Sequence, residues 1–156
     1  MIRPAEPSDI PEFLSLAEST GVFKPLEIET LREVLDAYFE SEAHDGHICV
    51  AFDVDASPIG FAYYAPTPMT DRTWELWWIV VGKSKQTGGI GTQLLERAES
   101  DVRSRRGRIL LIETSGLPNY EATRRFYLKR GYEQEARVRD YYSDGDDLTV
   151  FRKRLG

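Results

Sequence analysis

Gln86-Thr87-Gly88-Gly89-Ile90-Gly91 is the stretch whose reading decides the fold. Upstream of it, Trp74-Glu75-Leu76-Trp77-Trp78-Ile79-Val80-Val81 is aromatic and β-branched and too short for a typical buried helix, so it reads as a strand. Downstream, Ile90, Leu94, Leu95, Ala98 and Val102 recur at helical spacing, so a helix starts at the glycines. Strand, glycine turn and helix start together make a phosphate-binding geometry. The first N–H groups of a helix lack internal partners, and the helix dipole places partial positive charge beside them. Glycines let the backbone approach an anion and adopt φ values that other residues avoid. Two familiar motifs fail on spacing. A dinucleotide fingerprint needs a third glycine where Leu94 stands, and a nucleoside-triphosphate loop ending at Gly82-Lys83-Ser84 needs a glycine where Trp77 stands.

The chain has 156 residues, enough for one domain with a full core and no disulfide or metal. Its net charge of −6 argues against a nucleic-acid partner. The basic run Arg103–Arg108 reads as the solvated end of a helix. A single cysteine, Cys49, excludes an intramolecular disulfide and fits a reducing compartment. No apolar stretch reaches membrane-spanning length and no signal-peptide pattern opens the chain, so a cytoplasmic protein with no membrane partner is expected.

Along the chain, residues 1–4 read as a strand, followed by a helix capped by Ser8 or Asp9, with Pro11 in its first turn. A second helix is expected over 27–41, then a hairpin of His47–Val54 and Ile59–Tyr64 around Asp55-Ala56-Ser57-Pro58. A loop leads to the strand at 74–81, and the glycine turn to a helix at 90–105. Residues 108–113 read as a buried strand and 119–130 as a helix closed by Gly131. Strands at 132–142 and 147–155 flank Ser143-Asp144-Gly145-Asp146. The order β-α-α-β-β-β-α-β-α-β-β is an α/β layout on one sheet, without repeats or linkers, so a single domain over 1–156 is expected.

Gln86, Gly89 and Gly91 match Gln/Arg-x-x-Gly-x-Gly/Ala in full, and this resembles the pyrophosphate-binding signature of GNAT-type N-acetyltransferases. A second segment, Ala122-Thr123-Arg124-Arg125-Phe126-Tyr127-Leu128-Lys129-Arg130-Gly131-Tyr132, resembles the family's Ala-x-x-x-Phe-Tyr-x-x-x-Gly-Phe/Tyr. The resemblance covers essentially the whole chain. It implies a single mixed sheet of about seven strands flanked by four helices. It also implies acetyl-CoA as cosubstrate, with no metal, and an amine-bearing small molecule or peptide as acceptor. Cofactor-binding positions carried over from the family are Ile79, Val81, Gln86, Thr87, Gly88, Gly89, Gly91, Thr92 and Tyr127, with Ile79 and Val81 offering backbone groups to the acetyl carbonyl and pantetheine arm.

Acetyl transfer needs a neutral amine, a held thioester, oxyanion stabilisation and a proton for the departing thiolate. An alkylamine has a pKa near ~10.4, so a carboxylate must take its proton, directly or through water. Tyr127 is the candidate acid: a phenol is protonated at neutral pH, and the family's matching tyrosine lies beside the coenzyme A sulfur. Its competing role is a core aromatic. Glu75 is the leading candidate base, eleven residues ahead of Gln86, as in some branches of the family. Alternation puts it with Trp77, Ile79 and Val81 on one strand face. It reads equally as a glutamate at a solvated strand start. Glu113, at the end of the next strand, is the rival base, as in the branch acetylating protein N-termini. That branch has an asparagine seven residues before the helix tyrosine, where this chain has Tyr120.

Weaker signals remain. His44, His47 and Cys49 lack a fourth metal ligand; Trp74, Trp77 and Trp78 read as core and rim. Arg124 and Arg125 could reach the 3′-phosphate of coenzyme A, and Asp144, Asp146 and Asp147 read as a solvated turn. A non-catalytic acyl-CoA-binding module or sensor is the alternative function. Acceptor identity and oligomeric state, a homodimer included, stay open.

Overall fold

The computed structural model describes residues 1–86 and 88–156. Its elements in chain order are β1 (Ile2–Pro4), α1 (Ile10–Thr20), α2 (Pro25–Glu40), β2 (Ile48–Val54), β3 (Ser57–Pro66), β4 (Thr73–Val81), α3 (Ile90–Ser104), β5 (Ile109–Ser115), α4 (Glu121–Lys129), β6 (Glu133–Ser143) and β7 (Asp146–Arg154). The sheet has seven strands in the order β1-β2-β3-β4-β5-β7-β6. It is mixed: β4 runs parallel to β5, whereas β1·β2, β2·β3, β5·β7 and β6·β7 are antiparallel. The element order and the seven-strand, four-helix architecture agree with the sequence reading. No described helix is long and apolar enough to cross a membrane.

The chain divides into two compact units. The first comprises Met1–Ala65 and Trp78–Ala98. Its core joins Phe13, Leu14 and Ala17 of α1 and Leu31 and Leu35 of α2 to Cys49, Ala51, Phe61, Tyr63 and Val80 of the strands. Phe13 stacks on Phe61 with ring centroids 4.3 Å apart. Each buried Leu, Val or Phe side chain among them contributes roughly 1.5–3 kcal/mol of transfer free energy. Gly60 lets α3 settle close: a Cβ there would meet the Val80 carbonyl oxygen at 2.9 Å and Leu94 Cδ1 at 3.2 Å. That close packing seats the start of α3.

Asp9 corrects the expected helix cap. A 3₁₀ turn, Pro7–Asp9, precedes α1, and the buried Asp9 carboxylate accepts the Glu6 N–H at 2.8 Å rather than capping α1. It also takes two N–H groups of Arg3, at 2.8 and 2.9 Å, while Arg3 grips Asp53 at 2.6 and 3.1 Å. The Arg3 hydrogen bonds hold the Asp9 carboxyl below its ordinary range. The β2–β3 hairpin is tighter than expected: only Asp55 and Ala56 turn, both with positive φ (52° and 63°), as a primed two-residue turn requires.

The second unit comprises Pro66–Trp77 and Glu99–Gly156. Register places Leu110 and Ile112 of β5 and Phe151 of β7 on one face, all buried. Tyr127 of α4 packs there, 5.8 Å from both Phe151 and Tyr132 by ring centroids. Glu99 interrupts the apolar stripe of α3 and is buried; it accepts the Tyr132 hydroxyl at 2.7 Å and the Lys153 ammonium at 3.0 Å. This ion pair pins the segment after α4 to β7. β5 continues to Ser115, so Glu113 lies inside the strand rather than at its end.

Candidate active site

The glycine turn stands in the first unit. Gly82 N–H donates to the Ile59 carbonyl at the end of β4, and a 3₁₀ turn, Lys83–Lys85, follows. Gly89 has φ +74°, the left-handed region where a side chain is strained, and it is exposed together with Gly88. The helical ladder then opens with Gln93 N–H donating to the Gly89 carbonyl at 3.1 Å. The helix N-terminus therefore follows an exposed, side-chain-free turn, the arrangement expected of an anion seat. Gln86 is exposed and its Nε2 donates to the Val81 carbonyl at 3.1 Å, which ties the turn to the strand end. Ile79, Val81, Gln86, Gly88, Gly89, Gly91 and Thr92 thus fall on one continuous stretch of this unit. Thr87, expected among the binding residues, lies outside the described residues.

The three candidate proton-transfer groups all belong to the second unit. Parallel register sets Glu75 of β4 opposite Leu111 of β5, so Glu75 and Glu113 share one sheet face, two positions apart across the strands. Val150 and Arg152 of β7 continue that face, opposite Glu113 and Leu111. Burial is the larger cause, and the negative charge of Glu113 the smaller, of a Glu75 pKa pushed up to about 7. Glu75 is half-buried, its neighbours Trp74 and Leu76 turn to the buried side, and Trp77 is 41 % exposed rather than part of the core. β4–β5 pairing runs from Thr73↔Ile109 to Leu76↔Ile112, whereas β5 pairs with β7 from Ile109 to Ser115.

Tyr127 lies on the opposite face. It is 3 % exposed among Phe126, Tyr132 and Phe151, and burial alone raises its pKa above the ordinary phenol value. Its hydroxyl is therefore neutral at physiological pH. The base candidates and the acid candidate approach the sheet from opposite sides.

Several side chains read from sequence as exposed are taken up by structure. Arg124 Nη1 donates to the Ser115 and Leu117 carbonyls at 2.8 and 2.9 Å, so it holds the β5–α4 connection rather than standing free for a phosphate. Arg125 pairs with Glu121 at 2.8 Å. Asp146 is buried and accepts the Ser115 hydroxyl, and Asp147 pairs with Arg137, so the acidic turn is not simply solvated. Glu99 was missed; its signal is a glutamate at helical spacing between Leu95 and Val102. In the first unit, His44 Nδ1 lies 2.7 Å from the Tyr38 carbonyl and His47 Nδ1 lies 2.6 Å from the Tyr63 hydroxyl. Among the described residues no three metal-ligating side chains cluster.

The sequence model of the Acetyltransferase (GNAT) family matches residues 12–132. A solved GNAT-family protein from Desulfovibrio desulfuricans shares 36 % identity, over 100 % of this chain and 99 % of that one, with a TM-score of 0.95. At the level of fold, the Escherichia coli ribosomal-protein-S18-alanine N-acetyltransferase superposes with a TM-score of 0.80 at 18 % identity, covering 100 % and 94 %. An aminoglycoside 6′-N-acetyltransferase complexed with coenzyme A does so at 0.77 and 20 %, covering 100 % and 97 %. Among curated proteins no match reaches significance.

Proposed function

Because the chain belongs to the GNAT acetyltransferase family, we propose that it transfers an acetyl group from acetyl-CoA directly to a primary amine of a small molecule or peptide, within a ternary complex and as a single catalytic domain. The observation that carries this reading is Glu75, a carboxylate on an otherwise apolar strand whose pKa of about 7 leaves it able to accept a proton at neutral pH. The glycine turn at the start of α3 takes the pyrophosphate, and this remote binding goes into orienting the thioester. Ile79 and Val81 lend backbone groups to the acetyl carbonyl and the pantetheine arm.

Glu75 removes the ammonium proton of the bound acceptor. The amine nitrogen then forms a bond to the acetyl carbon, the C–S bond breaks, and the nitrogen releases its second proton to solvent. Tyr127 donates its proton to the departing sulfur and is reprotonated from solvent, yielding amide and free coenzyme A. Direct attack needs no acyl-enzyme, and the buried Cys49, its thiol pushed up by burial, is a poor nucleophile. Thiol release from acetyl-CoA, compared between the parent and Glu75→Gln across pH, tests this assignment. The substitution should depress turnover most at neutral pH, with partial recovery at high pH where free amine is abundant. Equal rates for the two proteins would remove Glu75 from the mechanism.

A further inference from the structure

In the second unit the two faces of the sheet differ in kind. Phe151 and Lys153 of β7 lie on the face that carries the helices, where they meet Tyr127 of α4 and Glu99 of α3. Arg152 stands between them in sequence and therefore on the other face. Register carries that other face across the strands. Glu75 of β4 is opposite Leu111 of β5, and Leu111 is opposite Arg152 of β7. The flanking rows set Ile109 opposite Arg154 and Glu113 opposite Val150. Glu75, Ile109, Leu111, Val150 and Arg152 are partly buried, while Glu113 and Arg154 are exposed.

This arrangement polarises the face. The carboxylates of Glu75 and Glu113 fall on β4 and β5, and the guanidinium groups of Arg152 and Arg154 on β7. Ile109, Leu111 and Val150 run diagonally between the two charges as a strip of hydrocarbon. Read along its central row, Glu75–Leu111–Arg152, the face is anion, hydrocarbon, cation. Arg154 turns its Nε to the Gly156 carbonyl, which leaves Arg152 as the cation nearer Glu75. Glu133 of β6 is opposite Arg152 on its outer side. A guanidinium has five donors in a fixed fork, enough for a carboxylate on each side of it.

A ligand complementary to that row is a zwitterion with an apolar body. Two strand spacings separate the Glu75 and Arg152 backbones by about 10 Å. With both side chains upright and a charged hydrogen bond of about 2.8 Å at each end, roughly 4 Å is left for the ligand's own amine-to-carboxylate span. That is the span of an amino acid with its amine on the α or β carbon. A polyamine offers Arg152 no anion, and a longer peptide carries its carboxylate far from its terminal amine. Leu111 and Val150 supply apolar surface beside the row, which an aliphatic side chain covers.

We infer that the acceptor is a small amino acid lying across this face, with its amine at Glu75, its carboxylate on Arg152 and its side chain against Leu111 and Val150. The inference rests on the reading of Glu75 as the base of an acetyl transfer. The test compares leucine with leucinamide, and β-alanine with its amide, as acceptors of acetyl from acetyl-CoA. Simple alkylamines without a carboxylate are run beside them. At equal concentrations of neutral amine, the parent's kcat/KM should favour at least one amino acid over its amide roughly tenfold or more. Arg152→Gln should lower that ratio roughly tenfold or more, and Arg152→Lys should leave it between the two. The amines' own basicity cancels between the proteins, and circular dichroism checks that the variants fold. Transfer to amines or amides with no preference for either amino acid overturns the inference while leaving the acetyltransferase reading in place. A ratio that folded Arg152→Gln does not change also overturns it. Transfer to no amine at all overturns the acetyltransferase reading and this inference with it.

Discussion

Glu113→Gln removes the one charge that raises the pKa of Glu75 while leaving its burial intact. With a pKa of about 7, Glu75 is half ionised at pH 7 and about one-tenth ionised at pH 6. Burial, the larger cause, remains, so the variant's pKa falls only part of the way toward the ordinary 4.5. Ionisation of Glu75 at pH 6 then rises from about one-tenth, a gain bounded at roughly tenfold, and at pH 8.5 it hardly changes. The assay is kcat/KM against pH for parent and variant with one amine. The amine's own protonation cancels in their ratio. The expected ratio is above one at pH 6 and falls to one by about pH 8.5. A ratio that is flat with pH would refute the coupling of the two glutamates. A uniform loss at every pH would transfer the base role to Glu113.

Tyr127→Phe keeps the ring among Phe126, Tyr132 and Phe151, so acetyl-CoA affinity should hold in calorimetry while kcat falls on the order of 10²-fold, the low end for a general acid because a thiolate leaves readily. Gly89→Glu places a carboxylate at the anion seat on a φ of +74°, and thermal melts should show coenzyme A protecting the parent but not the variant. Arg3→Met leaves buried Asp9 unpaired and should cost roughly 2–4 kcal/mol in urea unfolding at pH 7. Because Arg3 lowers the Asp9 pKa, this contribution is present above the ordinary carboxylate value of 3.8 and is lost as pH falls through the folded value, so parent and variant should converge in acid.

What could be read in the sequence was local. Alternation over Trp74–Val81 put Glu75 on one face with Trp77, Ile79 and Val81, and in the structure that face is the less buried one, Trp74 and Leu76 being buried on the other. Helical spacing over Ile90–Val102 located the turn that precedes it. What could not be read depends on partners far along the chain. Glu99 looks like a misplaced charge until Lys153 and Tyr132 arrive from 54 and 33 residues away. Asp146 looks solvated until β5 brings Ser115 to it, 31 residues earlier. Arg124 looks available until the chain before α4 turns two carbonyls onto it. The break in β6 pairing between Val138 and Ser143 leaves no trace in composition; there Asp147 of β7 holds the Asp140 N–H and the Arg137 side chain. Hydrophobic period carries the elements; long-range polar pairing decides which charges remain free for chemistry.

The central claim, acetyl transfer to an amine, is tested most directly by incubating the parent protein with acetyl-CoA and a panel of primary amines and peptides. Free thiol and acetylated amine would be measured together. The account predicts that at least one acceptor yields both products in equal amounts, at a rate that rises with pH through about 7 as Glu75 ionises. Thermal protection by acetyl-CoA without thiol release on any acceptor would contradict it and leave a protein that binds the acyl carrier without using it.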